Sequence, residues 1–87
     1  MTHTSRLRIA TVGRTQVVDI DERVRAAVAA SGVRDGLVCV CVIGSTAGIT
    51  TTEAEPGLLN HDLKAFYERI APDDADYAHE ATWHDDN

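Results

Sequence analysis

Residues 37–57 read LVCVCVI followed by GSTAGITTTEAEPG, so an apolar run passes directly into a polar one. Residues 37–43, here called the apolar segment, are apolar at every position, as is typical of a strand covered on both faces. Residues 44–57, the hydroxyl-rich segment, carry five Ser/Thr and two Glu. We predict that residues 47–53 form a strand that pairs antiparallel with the apolar segment across a turn at Gly44-Ser45. The polar side chains then line a pocket.

Upstream of this stretch, the pattern predicts two short strands and a helix. Residues 7–12 alternate between apolar and mostly polar side chains, which indicates a half-buried strand, and residues 16–18 form a second strand after a turn at residues 13–15. The helix begins with Asp19 as its cap and Glu22 three residues later. Its apolar face holds Ile20, Val24, Ala27 and Val28, and Gly32 ends it.

Downstream, a second helix is predicted from about residue 58 to residue 70, with Pro72 ending it. Its apolar face contains Leu59, Leu63, Phe66 and Ile70. The resulting order β-β-α-β-β-α predicts a single α+β domain over residues 1–87, with a largely antiparallel sheet and two helices. Such a sheet has an open edge that partner subunits or further strands must cover.

Charge and size exclude several classes of function. Residues 1–36 hold six Arg against four Asp/Glu, whereas residues 37–87 hold two basic against ten acidic residues, so the two parts carry +2 and −8. The acidic part argues against nucleic-acid binding, which requires Lys and Arg to neutralise phosphates. The N-terminus has no signal-peptide pattern, and the apolar segment is too short to span a membrane. We therefore expect a cytoplasmic protein.

Two cysteines, Cys39 and Cys41, lie two residues apart in the apolar segment. In a strand they would point to the same face, and we expect two small buried side chains. A disulfide between them is disfavoured by strand geometry, and a Cys-x-Cys metal site lacks a second pair of ligands.

Several motifs in sequence order resemble the YjbQ family. They are GSTAGITTTE with EPG at residues 44–57, ERIAP at residues 68–72, Tyr77-Ala78-His79, and WHDDN at residues 83–87. The resemblance covers residues 6–87 and implies a small α+β protein that forms homotrimers. Gly44 stands where many members have a His, and we expect His84 to take over a role near it. The family pattern continues for roughly fifty residues, so the domain is C-terminally incomplete relative to that pattern.

The resemblance also implies an activity. Members are often described as secondary thiamine-phosphate synthases, which join an aminopyrimidine diphosphate to a thiazole phosphate and release pyrophosphate. A divalent ion, together with hydroxyl or Arg contacts, would steady the departing pyrophosphate. The alternative is a non-catalytic trimer that binds a metal or a small anion.

The candidate metal ligands are His84 and Asp86, because imidazole and carboxylate suit zinc or a similar divalent ion. On spacing alone, the acidic tail (residues 73–87) also fits a solvated surface with two exposed histidines. His79, in the Tyr-x-His pattern, is a candidate catalytic residue that orients a substrate. His61 is expected on the surface, and Trp83 either covers a pocket or anchors the tail.

The remaining candidates lie in the hydroxyl-rich segment. Glu53 is a candidate general base or a partner that orients a His, although an exposed Glu at a strand end also fits the pattern. Ser45, Thr46 and Thr50 are candidates for binding the phosphate of a small phosphorylated substrate. The other interpretation is that the hydroxyls of this turn bond only within the turn.

Overall fold

The computed structural model describes residues 1–84, and all of their regular structure is helical. Helix α1 spans Asp21–Ser31, a π-helical turn spans Leu58–Asp62 and continues into α2 at Leu63–Ile70, and a short α3 spans Glu80–Trp83. No helix in this described part is long and apolar enough to cross a membrane.

Helix α1 begins and ends close to the predicted positions. The Asp19 carboxylate accepts a hydrogen bond from the Asp21 N–H at 2.9 Å, but the residue in the N-cap position is Ile20. Asp21 also pairs with Arg25 one turn later at 2.7 Å. The hydrogen bond to Asp21, followed by its charge, raises the pKa of Arg25 above its ordinary value. Gly32 ends the helix with φ of 73°, a left-handed conformation that glycine adopts without steric cost.

The second predicted helix is confirmed over residues 58–70. The backbone is already helical at Pro56 and Gly57, where proline is tolerated because the N–H groups of a first turn have no intrahelical partner. The first five residues after Gly57 form a π-helical turn, in which the Leu63 N–H donates to the Leu58 carbonyl. The sequence pattern predicted an ordinary helix here and not a π-helical turn.

The predicted α+β fold with a largely antiparallel sheet is wrong for this structure, since residues 1–84 contain no strand. A strand exists only when its backbone bonds to a neighbour. The backbone of residues 37–53 makes no backbone hydrogen bond within the described chain. The predicted turn does form, at Ser45 and Thr46. The residue types and their alternation show that these segments are suited to β-structure. They cannot show whether a neighbouring strand is present to pair with.

The described chain buries no residue completely. Its apolar contacts are partial and lie mainly around α1, where the half-buried apolar residues are Ile9, Val17, Val18, Ile20, Val24, Ala27 and Val33. Helix α2 buries Leu63 in part, while Phe66 and Ile70 are 52% and 62% exposed. Cys39 and Cys41 are both exposed thiols, so the expectation that they are buried is wrong. Burial requires a second layer of structure, which the described residues do not provide.

The size of the chain agrees with this lack of a core. The radius of gyration is 16.6 Å, whereas a compact domain of this length is expected to have about 12 Å and an unfolded chain about 29 Å. The exposed area is 8176 Å², against about 5,000 Å² expected for a compact folded monomer of this mass. The chain therefore exposes about 3,000 Å² more than a compact monomer of its mass.

The acidic tail is held by a few polar contacts. Arg14 reaches Asp73 across 59 positions of sequence with an N–O distance of 2.7 Å. The Tyr77 hydroxyl donates to the Pro72 carbonyl at 2.6 Å, and the Asp73 N–H donates to the Glu68 carboxylate at 3.3 Å. These contacts place the start of the tail against the end of α2 and against the basic N-terminal part.

Candidate functional site

The turn that opens the hydroxyl-rich segment exposes its side chains to solvent. Gly44 has φ of 153°, and Ser45 and Thr46 form the turn that follows. The hydroxyls of Ser45, Thr46 and Thr50 make no hydrogen bond to any described residue. The interpretation in which these hydroxyls only close their own turn is therefore wrong for this structure.

Glu53 is also exposed, and its carboxylate bonds to no residue within 1–84. Its neighbour Glu55 behaves differently. The two Glu55 carboxylate oxygens accept hydrogen bonds from the Gly57 N–H at 2.9 Å and the Leu58 N–H at 2.8 Å. Glu55 thus satisfies two N–H groups at the start of the second helix, and Glu53 is the carboxylate of this pair that remains available for chemistry.

The role of Glu55 at the start of the second helix was not predicted, although the sequence around it contains a pattern that indicates it. An acidic residue directly before Pro56 matches the usual start of a helix, in which proline occupies the first turn and a side-chain oxygen accepts from the N–H groups after it. The predicted start of the helix lies two residues after the observed start. Glu55 was therefore assigned to the hydroxyl-rich segment and not to the helix.

His79 and His84 lie at the two ends of α3. His79 is the N-cap residue, and its carbonyl accepts from the N–H groups of Thr82 and Trp83 at 3.1 and 3.2 Å. The His79 and Trp83 rings lie 6.3 Å apart between centroids with a 34° tilt. The Trp83 ring therefore lies beside His79, within the same tail, and remains 65% exposed, so it neither covers a pocket nor anchors the tail to another element among the described residues.

His84 is the C-cap residue of α3 and has a left-handed backbone with φ of 54°. Its N–H donates to the Glu80 carbonyl at 2.9 Å, and its side chain is exposed. Asp86, its predicted co-ligand, lies outside the described residues. His61 is exposed as expected, with its ring 2.9 Å from the Asp62 carboxylate.

These residues do not by themselves fit a complete metal site. Zinc takes three or four protein ligands, yet within residues 1–84 no three His, Cys, Asp or Glu side chains are grouped so as to hold an ion. His84 has suitable donor chemistry and an exposed ring, so the described chain offers one imidazole of such a set.

The charge around these candidates also matters for what they can bind. The hydroxyl-rich segment and the acidic tail belong to the part of the chain with charge −8, which disfavours an anionic ligand. Arg14 lies 2.7 Å from Asp73 and brings a guanidinium to this acidic part. A hollow of about 300 Å³ at the start of α1 is lined by Asp19, Asp21, Glu22 and Arg23, none of which is a predicted site residue.

Comparison with known proteins agrees with the motif pattern. The family described as "UPF0047 protein YjbQ-like" matches residues 5–87. A UPF0047 protein of Methanothermobacter thermautotrophicus is 34% identical over 79 residues, which are 91% of this chain and 54% of that protein. A second, from Methanocaldococcus jannaschii, is 32% identical over 72 residues, which are 83% of this chain and 52% of that protein.

The chain therefore spans about half the length of the curated relatives that it matches. No solved structure matches it significantly. Because the family match extends over nearly the whole sequence and both archaeal relatives support it, the chain belongs to the YjbQ (UPF0047) family.

Proposed function

We propose that this protein acts as a secondary thiamine-phosphate synthase, which joins an aminopyrimidine diphosphate to a thiazole phosphate. The observation that supports this most directly is the hydroxyl-rich segment, where three hydroxyls and the Glu53 carboxylate are exposed and bond to no described residue. Hydroxyl and backbone N–H donors at a turn suit phosphate oxygens. The family motif that carries these side chains is matched within residues 5–87.

In this proposal the hydroxyls of Ser45, Thr46 and Thr50 bind the phosphate of the substrate. A cation must offset the charge of −8 in residues 37–87, and the guanidinium of Arg14 does so in this proposal by exchanging its 2.7 Å pair with Asp73 for the substrate. Glu53 holds or accepts a proton during the reaction. His79, whose ring is steadied by Trp83, orients the substrate.

A divalent ion, with zinc as the first candidate, is part of the proposal. His84 and Asp86 contribute ligands to a set that residues outside 1–84 or neighbouring subunits complete. The proposed assembly is a homotrimer. Support for shared sites comes from the large exposed area and from the absence of a three-ligand group within the described residues.

The test is a turnover assay with the two thiamine precursors and purified protein loaded with zinc. We expect thiamine phosphate to form, and we expect Glu53→Gln and His79→Ala to lower kcat by about 100-fold or more, as is usual for acid–base residues. The matched controls are Glu22→Gln and His61→Ala, which change exposed side chains elsewhere and leave the rate unchanged. Absence of turnover in the loaded protein would refute the transferase proposal.

The second candidate function is a non-catalytic trimer that binds a metal or a small anion. The exposed imidazole of His84 and the exposed hydroxyl-rich segment offer ligand groups for such binding, which needs no catalytic residue. Titration with zinc and with pyrophosphate separates the candidates. Binding that depends on His84 without any turnover supports this second function, whereas turnover that depends on Glu53 excludes it.

A further inference from the structure

The junction between α1 and the apolar segment contains the dipeptide Asp35-Gly36. Both residues are exposed and lie in a bend of the chain, shortly after Gly32 ends α1. Asp35 is also the only Asp of the sequence that a Gly follows directly. An open carboxyl beside an amide that no side chain shields is the arrangement that intramolecular ring closure requires.

The Asp35 carboxyl has no partner among residues 1–84. No hydrogen bond or ion pair in this part of the chain involves it. Asp21 and Asp73 differ, because each accepts from an Arg side chain at 2.7 Å. The Asp35 side chain is therefore free to exchange rotamers, including the one that brings its Cγ atom over the amide nitrogen that follows.

The Gly36 amide is equally open. Its N–H donates to no carbonyl or side chain of the described residues. The nearest atom to a Cβ placed on Gly36 is Val33 Cγ1 at 3.7 Å, an ordinary van der Waals distance, so no neighbour crowds the peptide. The nitrogen can thus act as a nucleophile without the loss of a hydrogen bond.

We propose that Asp35-Gly36 is a site of spontaneous isoaspartate formation. The Gly36 nitrogen attacks the Cγ of the Asp35 carboxyl in its acid form. The new C–N bond replaces the C–OH bond, and the amide proton leaves with that hydroxyl as water. The product is a succinimide ring.

Water then opens the ring at one of its two carbonyl carbons. Attack at Cγ restores Asp35, whereas attack at the main-chain carbonyl carbon leaves the chain running through Cβ, which is isoaspartate. One water is released and one is consumed, so the residue is rearranged with no oxidation or reduction.

The product differs from the starting chain in a defined way. It has one additional CH₂ group in the main chain between α1 and the apolar segment, and the carboxylate is retained, so the net charge of −6 is unchanged. Isoaspartate is the substrate of methyltransferases that esterify its α-carboxylate with a methyl group from S-adenosylmethionine. The inference does not depend on the proposed enzymatic activity.

Asp74 provides a comparison within the same chain. It is exposed, and its carboxylate also has no partner among the described residues. The residue after it is Ala75, whose N–H donates to the Pro72 carbonyl at 3.3 Å. Because this nitrogen is engaged and belongs to a residue with a Cβ, we expect isoaspartate to form at Asp74 at least about tenfold more slowly than at Asp35.

The test is prolonged incubation of the purified protein at neutral pH and physiological temperature. Samples are assayed by methyl transfer from labelled S-adenosylmethionine, and by digestion with a protease that cleaves before Asp but not before isoaspartate. We expect cleavage before Asp35 to be lost with time while cleavage before Asp74 persists. A synthetic peptide of residues 31–40 is the unstructured reference, and the rate in the protein should match it within about threefold, since no described contact holds the bend.

Three substitutions make the experiment specific. Gly36→Ala should lower the rate at least about tenfold, because the added Cβ shields the nitrogen and restricts the peptide. Asp35→Glu keeps the charge but should abolish the reaction, since the longer side chain closes the ring far more slowly. Gly48→Ala is the matched control, because Gly48 is exposed with open space around it and should leave the rate unchanged. Circular dichroism verifies that each variant retains its helices.

Three outcomes would overturn the inference. One is equal accumulation of isoaspartate at Asp35 and Asp74. Another is a rate in Gly36→Ala that equals the rate in the unaltered protein. The last is a rate in the protein more than about tenfold below that of the reference peptide, which would mean that contacts in solution hold the bend closed.

Discussion

At the scale of single residues, two neighbouring glutamates have different roles. Glu55 bonds to two backbone N–H groups at the start of the second helix, whereas Glu53 bonds to none of the described residues. Sequence alone placed both in one polar segment. The difference arises because Pro56 sets the helix start, and the carboxylate directly before it reaches the first free N–H groups.

Replacement of Glu55 should destabilise the second helix without affecting α1. We expect Glu55→Ala to cost about 0.5–2 kcal/mol of local helix stability, since two N–H groups lose their acceptor and the negative charge at the helix start is removed. Amide hydrogen exchange at Gly57 and Leu58 measures the effect. Glu53→Ala is the matched control, and equal loss of protection in both variants would contradict the assigned role.

At the scale of secondary-structure elements, the two longer helices lie where short sequence patterns predicted them. The segments predicted as strands do not form strands. Helix α1 ends at Gly32 in a left-handed conformation, and the second helix covers residues 58–70 as predicted. Each needs only its own backbone hydrogen bonds and cap. Helix α3 was not predicted, because its four residues give no periodic pattern. The four predicted strands failed because a strand requires a partner outside the local window.

The end of α1 provides a test at this scale. Nothing lies within 4 Å of a Cβ placed on Gly32, so a substitution there meets only the backbone penalty of φ at 73°. We expect Gly32→Ala to destabilise the last turn of α1 by about 1 kcal/mol. Gly48→Ala is the control, since Gly48 also has open space and is not among the positive-φ glycines. Secondary chemical shifts of residues 27–31 report the result, and equal shifts in both variants would refute it.

At the scale of the whole molecule, the described chain has partial apolar contacts and no buried core. The Arg14–Asp73 pair joins its two ends, but both side chains are largely exposed, and such a pair contributes only about 0–1 kcal/mol. Cooperative unfolding depends on a shared core that all elements bury together. Residues 1–84 do not contain one.

We therefore expect the purified protein alone to unfold gradually on heating. A cooperative domain of this length would show a heat-capacity increase of about 1.1 kcal/mol/K, and the chain alone should show much less, because little apolar surface is newly exposed. Differential scanning calorimetry at low micromolar concentration measures it. A sharp endotherm with the full heat-capacity change would contradict the absence of a core.

The family and the two longer helices could be predicted from the amino-acid sequence. Motifs at residues 44–57, 68–72, 77–79 and 83–87 led to the YjbQ family, which the comparisons confirm. Helix signals such as Gly32 and the apolar spacing of the second helix act within a few residues, so a local pattern is sufficient to read them. The chain bends at residues 13–15 and turns at Ser45 and Thr46, close to the two turns that the same local rules predicted.

The hydrogen-bond partners of the polar side chains and the unpaired backbone of the apolar segment could not be predicted from sequence and became visible in the three-dimensional structure. The contact between Arg14 and Asp73 spans 59 positions, and no local pattern specifies it. The exposure of Cys39 and Cys41 reversed the expectation of burial. In each case the physical reason is the same. Pairing and burial depend on groups distant in sequence or in another polypeptide, whereas caps and helical spacing depend on neighbours along the chain.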